Sequence, residues 1–243
     1  MCTLEKRGDI FILTITGDDD HRLNPTLISS IRSSLSNVKS QCTVPGSAII
    51  TIAEGKYFSN GFDLNWAKTA SSDDSPSKSI DHLLHMVNLF KQLVADLVSF
   101  PMPTIAAITG HAAAAGLILA MSHDYVLMRR DRGILYMPEI DIGMTLPDYF
   151  IAMMRSKVGK PEARRDLLLR GVKVKADEAK TMGLVDSVHE SVVEAAVCIG
   201  AELANRKWDG QVYAEIRKSL HPELCNVLNL TSKDYICCKA TVE

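Results

Sequence analysis

The chain has 243 residues, 47% hydrophobic and 23% charged, with a formal net charge of −2. A chain this long buries roughly 70 to 75% of its unfolded surface, so it can hold its own core; its composition excludes a disordered chain and a fibrous repeat. The near-balanced charge offers no general attraction to phosphate backbones or anionic lipid, which argues against nucleic-acid and membrane partners. Cys2, Cys42, Cys198, Cys225, Cys237 and Cys238 form no CxxC pair and accompany no ligand-like histidine run, so a reduced, intracellular setting is expected. The first residues, MCTLEKRGD, carry charges where an export signal needs an apolar stretch.

In chain order, residues 10–16 (IFILTIT) predict a strand, residues 25–38 a helix entered through Asn24-Pro25, and residues 47–53 (SAIITIA) a buried strand. Residues 69–79 (TASSDDSPSKS) contain no large apolar group and predict an exposed, mobile loop. Leu83, Met86, Val87, Phe90, Leu93, Val94, Leu97 and Val98 then recur at helical spacing up to Pro101. PTIAAI predicts a strand, AAGLILAM a helix and DYVLM a strand, an alternation that implies an α/β fold. Residues 103–121 carry no formal charge, but their alanines are weakly apolar and Gly110-His111 divides a strand-like run from a helix-like one, so no membrane span is expected. Helices are expected at 147–157, 161–169, 176–182, 190–206 and 209–219.

Several chemistries lack their signatures. Neither a dinucleotide fingerprint, a phosphate loop nor a G-x-S-x-G elbow occurs. Asp81, His82 and His85 lie on an amphipathic helix with no third ligand, so no metal is expected. His111 and His123 are read as hydrogen-bonded structure rather than as bases.

Two strand-to-helix corners carry the function. In KYFSNGFDL (residues 56–64), Asn60-Gly61 suits a backbone with positive φ and leaves the amide of Phe62 free to point outward. In GHAAAAGLILA (residues 110–120), alanines between two glycines let a ligand approach the main chain, and the following helix presents unpaired N–H groups. Taken singly, an ordinary turn and a tightly packed helix start account for them equally well.

Together these corners resemble those of the crotonase family, the enoyl-CoA hydratase/isomerase superfamily, from about residue 8 to about residue 220. FSNGFD is similar to the family's FxxGxD and GHAAAAG to its GxAxGG, which implies that Phe62 and Ala115 each give a backbone N–H to an oxyanion hole gripping a thioester carbonyl. The family usually has Ala where Phe62 stands and Gly where Ala115 stands. HRLNP (residues 21–25) resembles the stretch beside the CoA nucleotide. The resemblance implies substrate-lining roles for Asn24, Ser59, Asn60, Gly61, Asp63, Leu64, Trp66, His111, Ala114, Ile118 and Asp148.

LYMPEIDIG (residues 135–143) resembles the stretch that presents the family's catalytic glutamate, which aligns with Glu139. Its neighbours Leu135, Met137, Pro138 and Ile140 favour a partly desolvated acid with a raised pKa over a surface carboxylate between two strands. Hydratases of the family place a second glutamate where this chain has Ile118. One base and an apolar wall suit moving a proton between two carbons better than activating water. FSNGFDL, GHAAAAGLILA, HDYVLMR and PEIDIG resemble most the plant-type monofunctional 3-enoyl-CoA to 2-enoyl-CoA isomerases.

The resemblance implies an α/β spiral of ββα units (residues 1–185) with a helical C-terminal region (186–243), a homotrimer or hexamer, an acyl-CoA substrate and no cofactor beyond the CoA it carries. Asp148 lies near where some relatives carry a second acid; a helix N-cap after Pro147 is the preferred alternative. Relatives of the plant isomerase end in a peroxisomal tripeptide whereas this chain ends Ala240-Thr241-Val242-Glu243, so peroxisome is expected from resemblance and cytosol is the alternative. Two rival functions are hydration of a 2-enoyl-CoA or aryl-propenoyl-CoA and non-catalytic binding of a CoA thioester.

Overall fold

A computed structural model describes residues 1–41, 45–69 and 76–231. The chain runs β1 (Cys2–Arg7), β2 (Ile10–Ile15), α1 (Pro25–Gln41), β3 (Ala48–Ala53), β4 (Tyr57–Ser59), α2 (Leu64–Thr69), α3 (Pro76–Val98), β5 (Thr104–Ile108), β6 (His111–Ala113), α4 (Ala115–Met121), β7 (Tyr125–Arg129) and β8 (Leu135–Tyr136). There follow α5 (Asp148–Lys157), α6 (Pro161–Leu169), α7 (Ala176–Met182), β9 (Ser187–His189), α8 (Val192–Asn205), α9 (Gly210–Leu220) and α10 (Pro222–Val227). The architecture is α/β, and β2, β3, β5, β7 and the longer helices fall where hydrophobic periodicity places them.

The differences have local causes. Of the expected loop at 69–79, Thr69 ends α2 and residues 76–79 begin α3, because Pro76 suits a first helical turn; residues 70–75 lie outside the described residues. β1, β4, β6, β8, β9, α2 and α10 are additions. All seven span six residues or fewer with little apolar periodicity to announce them, and β1, CTLEKR, is an edge strand with mostly exposed side chains.

A six-stranded sheet in the order β1-β2-β3-β5-β7-β9 is parallel except for the β1–β2 hairpin. Side-chain alternation sends its residues to two cores. Phe11, Leu13, Ile15, Ile49, Ala106 and Ile108 pack toward α1, α3, α4 and α5. Ile10, Ile12, Ile50, Ile105 and Leu127 pack under α8, where Gly200 admits the Ile10, Ile50 and Ile105 methyls. A second sheet, β4-β6-β8, is three short parallel strands joined through Tyr57↔His111, a register shift, then Ser59↔Ala112, and on the other side Ala112↔Leu135.

Two buried polar groups lock the layers. His123, just past α4, lies 2.8 Å from Thr51 Oγ1 on β3 through Nε2 and 3.0 Å from the Leu119 carbonyl through Nδ1. These partners fit a neutral ring that donates from Nδ1 to the carbonyl and accepts the threonine hydroxyl. Arg217 of α9 pairs with Asp124 and donates to the carbonyls of Phe100 and Met102, which ties the C-terminal helices to the start of β5.

Burial pushes the His123 pKa down to about 4, against an ordinary value near 6.5. Its stabilising contribution is therefore complete above pH 6.5 and is lost as pH falls toward 4, because the unfolded chain takes up the proton first. Urea unfolding between pH 7.5 and 4.5 is expected to lose up to about 3 kcal/mol from this group. A His123→Gln variant should be less stable at pH 7.5 with a shallower acid slope. An unchanged slope would remove His123 as its source.

Candidate active site

The small sheet explains how three distant segments meet. β4, β6 and β8 are parallel neighbours, so their C-terminal ends lie together, the end where open α/β sheets bind ligands. Phe62 comes three residues after β4, Ala115 two after β6 and Glu139 three after β8.

At the first corner Gly61 takes φ +77°, which favours a residue without Cβ. The strap at residues 20–24 holds the corner: Asn60 N–H donates to Asp20 (2.8 Å), Leu23 N–H to Gly61 (2.8 Å) and Asp63 N–H to Leu23 (3.2 Å). In this parallel bridge Leu23 engages the residues flanking Phe62, and the alternation of an extended segment turns Phe62 N–H to the other side. The Phe62 ring packs edge-on against Phe90 at 5.5 Å and parallel to Phe150 at 6.2 Å. Its side chain thus anchors the amide from behind.

At the second corner Ala114 has φ 50° and ψ −126°, a conformation rare for a residue with a side chain. The backbone is fixed on both sides, by Ala114 N–H donating to Tyr136 (3.0 Å) and by Leu117 and Ile118 N–H donating to the Ala114 carbonyl (3.0 and 3.2 Å). The rotated peptide leaves Ala115 N–H at the start of α4. Neither Phe62 N–H nor Ala115 N–H has an acceptor among the described residues.

Two glycines allow the corners to touch. A Cβ on Gly61 would stand 3.0 Å from the Ala114 methyl and 3.5 Å from Ala115 N. A Cβ on Gly116 would collide with the Ser59 carbonyl. The two free amides therefore belong to one site.

Glu139 occupies a turn between β8 and α5 rather than a link between two strands. Its carbonyl accepts Met144 N–H at 2.9 Å. The residue is only 8% exposed, and its Oε2 is buried without a partner. Desolvation pushes its pKa above the usual carboxylate value. A buried acceptor left unpaired costs on the order of 1–3 kcal/mol, a cost that marks a position kept for something other than stability. Two donors and a desolvated carboxyl at one sheet end can hold a developing oxyanion while a proton moves.

The remaining sequence-derived residues divide by what they touch. Ser59 is fully buried; its hydroxyl donates to the His21 carbonyl at 2.8 Å and accepts Gly61 N–H at 3.3 Å. Asn24 accepts Leu27 N–H at 3.0 Å, capping α1, and reaches Asp63, whose other oxygen accepts Trp66 N–H at 2.9 Å. These three position the first corner. Asn60 approaches Tyr136 Oη at 3.5 Å, and Leu64 opens α2 half-buried. Trp66 stacks at a tilt on His82 (5.4 Å), and His111 on Tyr57 (4.9 Å). The His111 pKa is held down by burial and by Lys56 and Arg132. Ile118 is fully buried in α4. Asp148 is the first residue of α5 with Pro147 as its cap, which corrects the expected N-cap. Its carboxylate accepts the Tyr149 N–H and faces outward, 61% exposed, 3.5 Å from Lys91. Sequence reasoning missed the Tyr136 carbonyl as the latch of the second corner, since nothing marks a two-residue strand.

The contact between corners is testable. Gly116→Ala should destabilise the fold by about 1–3 kcal/mol in urea unfolding, although alanine is the better helix former. Gly159→Ala, where a Cβ meets open space, should stay within about 0.5 kcal/mol. A stabilising Gly116→Ala would contradict the packing of α4 against the β4 corner.

The sequence pattern of the enoyl-CoA hydratase/isomerase family matches residues 12–233. Among curated proteins, the chain is 57% identical over 237 residues to enoyl-CoA delta isomerase 2, peroxisomal, of Arabidopsis thaliana, covering 96% of this chain and 97% of that one. It is 52% identical over 227 residues to enoyl-CoA delta isomerase 1, peroxisomal, of the same plant, covering 92% and 91%. Among solved structures, an apo enoyl-CoA isomerase of Mycobacterium tuberculosis superposes with a TM-score of 0.82 at 20% identity, covering 94% of each chain, which speaks to the fold alone. With its fold, its strand-end corners and its relatives agreeing, the chain belongs to the enoyl-CoA hydratase/isomerase family and has the crotonase fold.

Proposed function

We propose that the protein is an isomerase that shifts the double bond of a 3-enoyl-CoA to the 2-position, with Glu139 as its single proton shuttle. The observation that carries this reading is the buried Glu139 carboxyl, one oxygen of which has no partner, at the strand end that also presents two free amides. The curated relatives support it by their names.

In this mechanism the thioester carbonyl accepts the Phe62 and Ala115 N–H groups. Glu139 carboxylate removes a C2 proton, and the C–H electron pair moves into conjugation with the carbonyl and the C3=C4 bond, giving a dienolate. The same carboxyl returns the proton to C4, the double bond settles between C2 and C3, and Glu139 is again ionised. Each preorganised amide is worth about 3 kcal/mol, or about a hundredfold in rate. Ile118, apolar where a second acid would hold water, favours proton shuttling over hydration. The reaction needs no cofactor apart from the CoA within the substrate. We place it in the oxidation of unsaturated fatty acyl chains and, because two relatives are named peroxisomal, in the peroxisome.

A 3-enoyl-CoA should yield the conjugated thioester in a spectrophotometric assay, whereas rapid hydration of a 2-enoyl-CoA without isomerisation would favour the rival reading. Glu139→Gln should keep acyl-CoA affinity and lose kcat by three orders of magnitude or more. Because the base must be ionised, kcat/KM should rise with pH through a midpoint above the ordinary glutamate value.

We also propose that three copies, or six, associate through the C-terminal helices. Support comes from α9 and its approach, where Trp208, Val212, Ile216 and Leu220 recur every fourth residue and leave 36, 37, 57 and 70% of themselves exposed beside a cleft of about 540 Å3. Light scattering should give a trimer or hexamer that Ile216→Glu with Leu220→Glu dissociates. A wild-type monomer would exclude the proposal.

A further inference from the structure

Exposed large apolar side chains are costly on a solvated surface, and among the described residues most gather in two places. One is the α9 stripe. The other straddles α3 and the Glu139 turn: Ile80 is 57% exposed and Ile142 53%, with Leu84 (53%) and Ile140 (49%) beside them on the same two segments. Ile80 and Ile142 face one cleft of about 450 Å3, within the range of small-molecule sites, walled mainly by Leu64, Ala67, Leu83 and Met144, with Lys68 and Ser79 completing the lining.

The cleft begins at the candidate site. Leu64 stands two residues past Phe62, its N–H donating to the Phe62 carbonyl, and Met144 is the residue whose N–H holds the Glu139 carbonyl. An acyl chain leaving C4 between Leu64 and Met144 therefore enters an apolar trough with Ile80 and Ile142 in its walls. Taking the roughly 30 Å3 share of a liquid water as the size of one methylene, the trough has room for on the order of ten of them.

We propose that this trough makes the protein selective for medium and long acyl chains, with Ile80 and Ile142 as the specificity-determining residues; the proposal rests on the isomerase reading above. Each methylene withdrawn from water adds up to about fourfold in binding. Because the chain is remote from the reacting carbons, the gain is shared by ground and transition states and falls in KM rather than kcat.

The test compares six-carbon and twelve-carbon 3-enoyl-CoA substrates, and in parallel the binding of hexanoyl-CoA and dodecanoyl-CoA by calorimetry. The wild type should prefer the longer chain by at least tenfold in kcat/KM and in Kd. The double variant Ile80→Ser, Ile142→Ser should lose most of that ratio through KM, with its thermal midpoint held, while Leu169→Ser, an exposed leucine on α6, should keep it. Equal use of both lengths, or an undiminished ratio in the double variant, overturns the proposal. Chain-length selectivity in binding with no turnover of either substrate would retain the trough and refute the isomerase reading instead.

Discussion

The site depends on one steric constraint, the close approach of the β4 corner to the start of α4. Without Cβ atoms at Gly61 and Gly116, main chain meets main chain, with the Ser59 carbonyl against α4 and the Gly61 α-carbon beside Ala115 N. That contact makes two separate loops into one pair of donors. The Ala114 methyl fills the space that Gly61 leaves, at a backbone conformation that costs on the order of 1–3 kcal/mol. The surrounding hydrogen bonds, Ala114 to Tyr136 on one side and Leu117 and Ile118 to Ala114 on the other, over-determine it. The strain is held by the fold and so does not have to be supplied when a ligand arrives.

The second sheet is the device that brings the carboxyl to those donors. Its strands are two and three residues long, too short to be stable alone, yet they pair in parallel, with one register shift in β4, and aim their ends the same way. They survive because residues around them are buried on the core side, Phe58 and Ser59 from β4, Ala112 and Ala113 from β6, Leu135 from β8. The half-exposed partners Tyr57, His111 and Tyr136 stack outside, with Lys56 over Tyr57 and Lys173 over Tyr136.

How much of this was legible in the sequence follows from length and periodicity. β2, β3, β5 and the helices of the last third carry enough apolar repeat to be placed within a few residues. β4, β6 and β8 do not, since Tyr57 pairs with His111 and Ala112 with Leu135, partners that no local pattern reveals. The positive φ at Gly61 was legible nevertheless, because glycine where a chain turns sharply implies a backbone that other residues rarely adopt, whatever the strands do. The burial of Glu139 was foreshadowed by Met137 and Pro138. The roles of Ser59, Asn24 and Asp63 as struts could not be foreseen, because a side chain that caps a helix and one that meets a ligand carry the same polar atoms. Asp148 shows the same ambiguity: one position along the helix start, its carboxylate faces solvent and Lys91.

The energetic asymmetry of the site favours proton transfer over hydration in the proposed reaction. Glu139 has one oxygen with no partner in the protein and a pKa raised by desolvation, so a proton taken from carbon has a receptive, weakly solvated home. Hydration would require a second polar group to orient water, but Ile118 on α4 is an alkyl side chain, fully buried. In the proposed reaction a carboxyl that keeps the proton it has taken has the dienolate itself as the acceptor within reach, and returning the proton at C4 restores the ionised base for the next turnover.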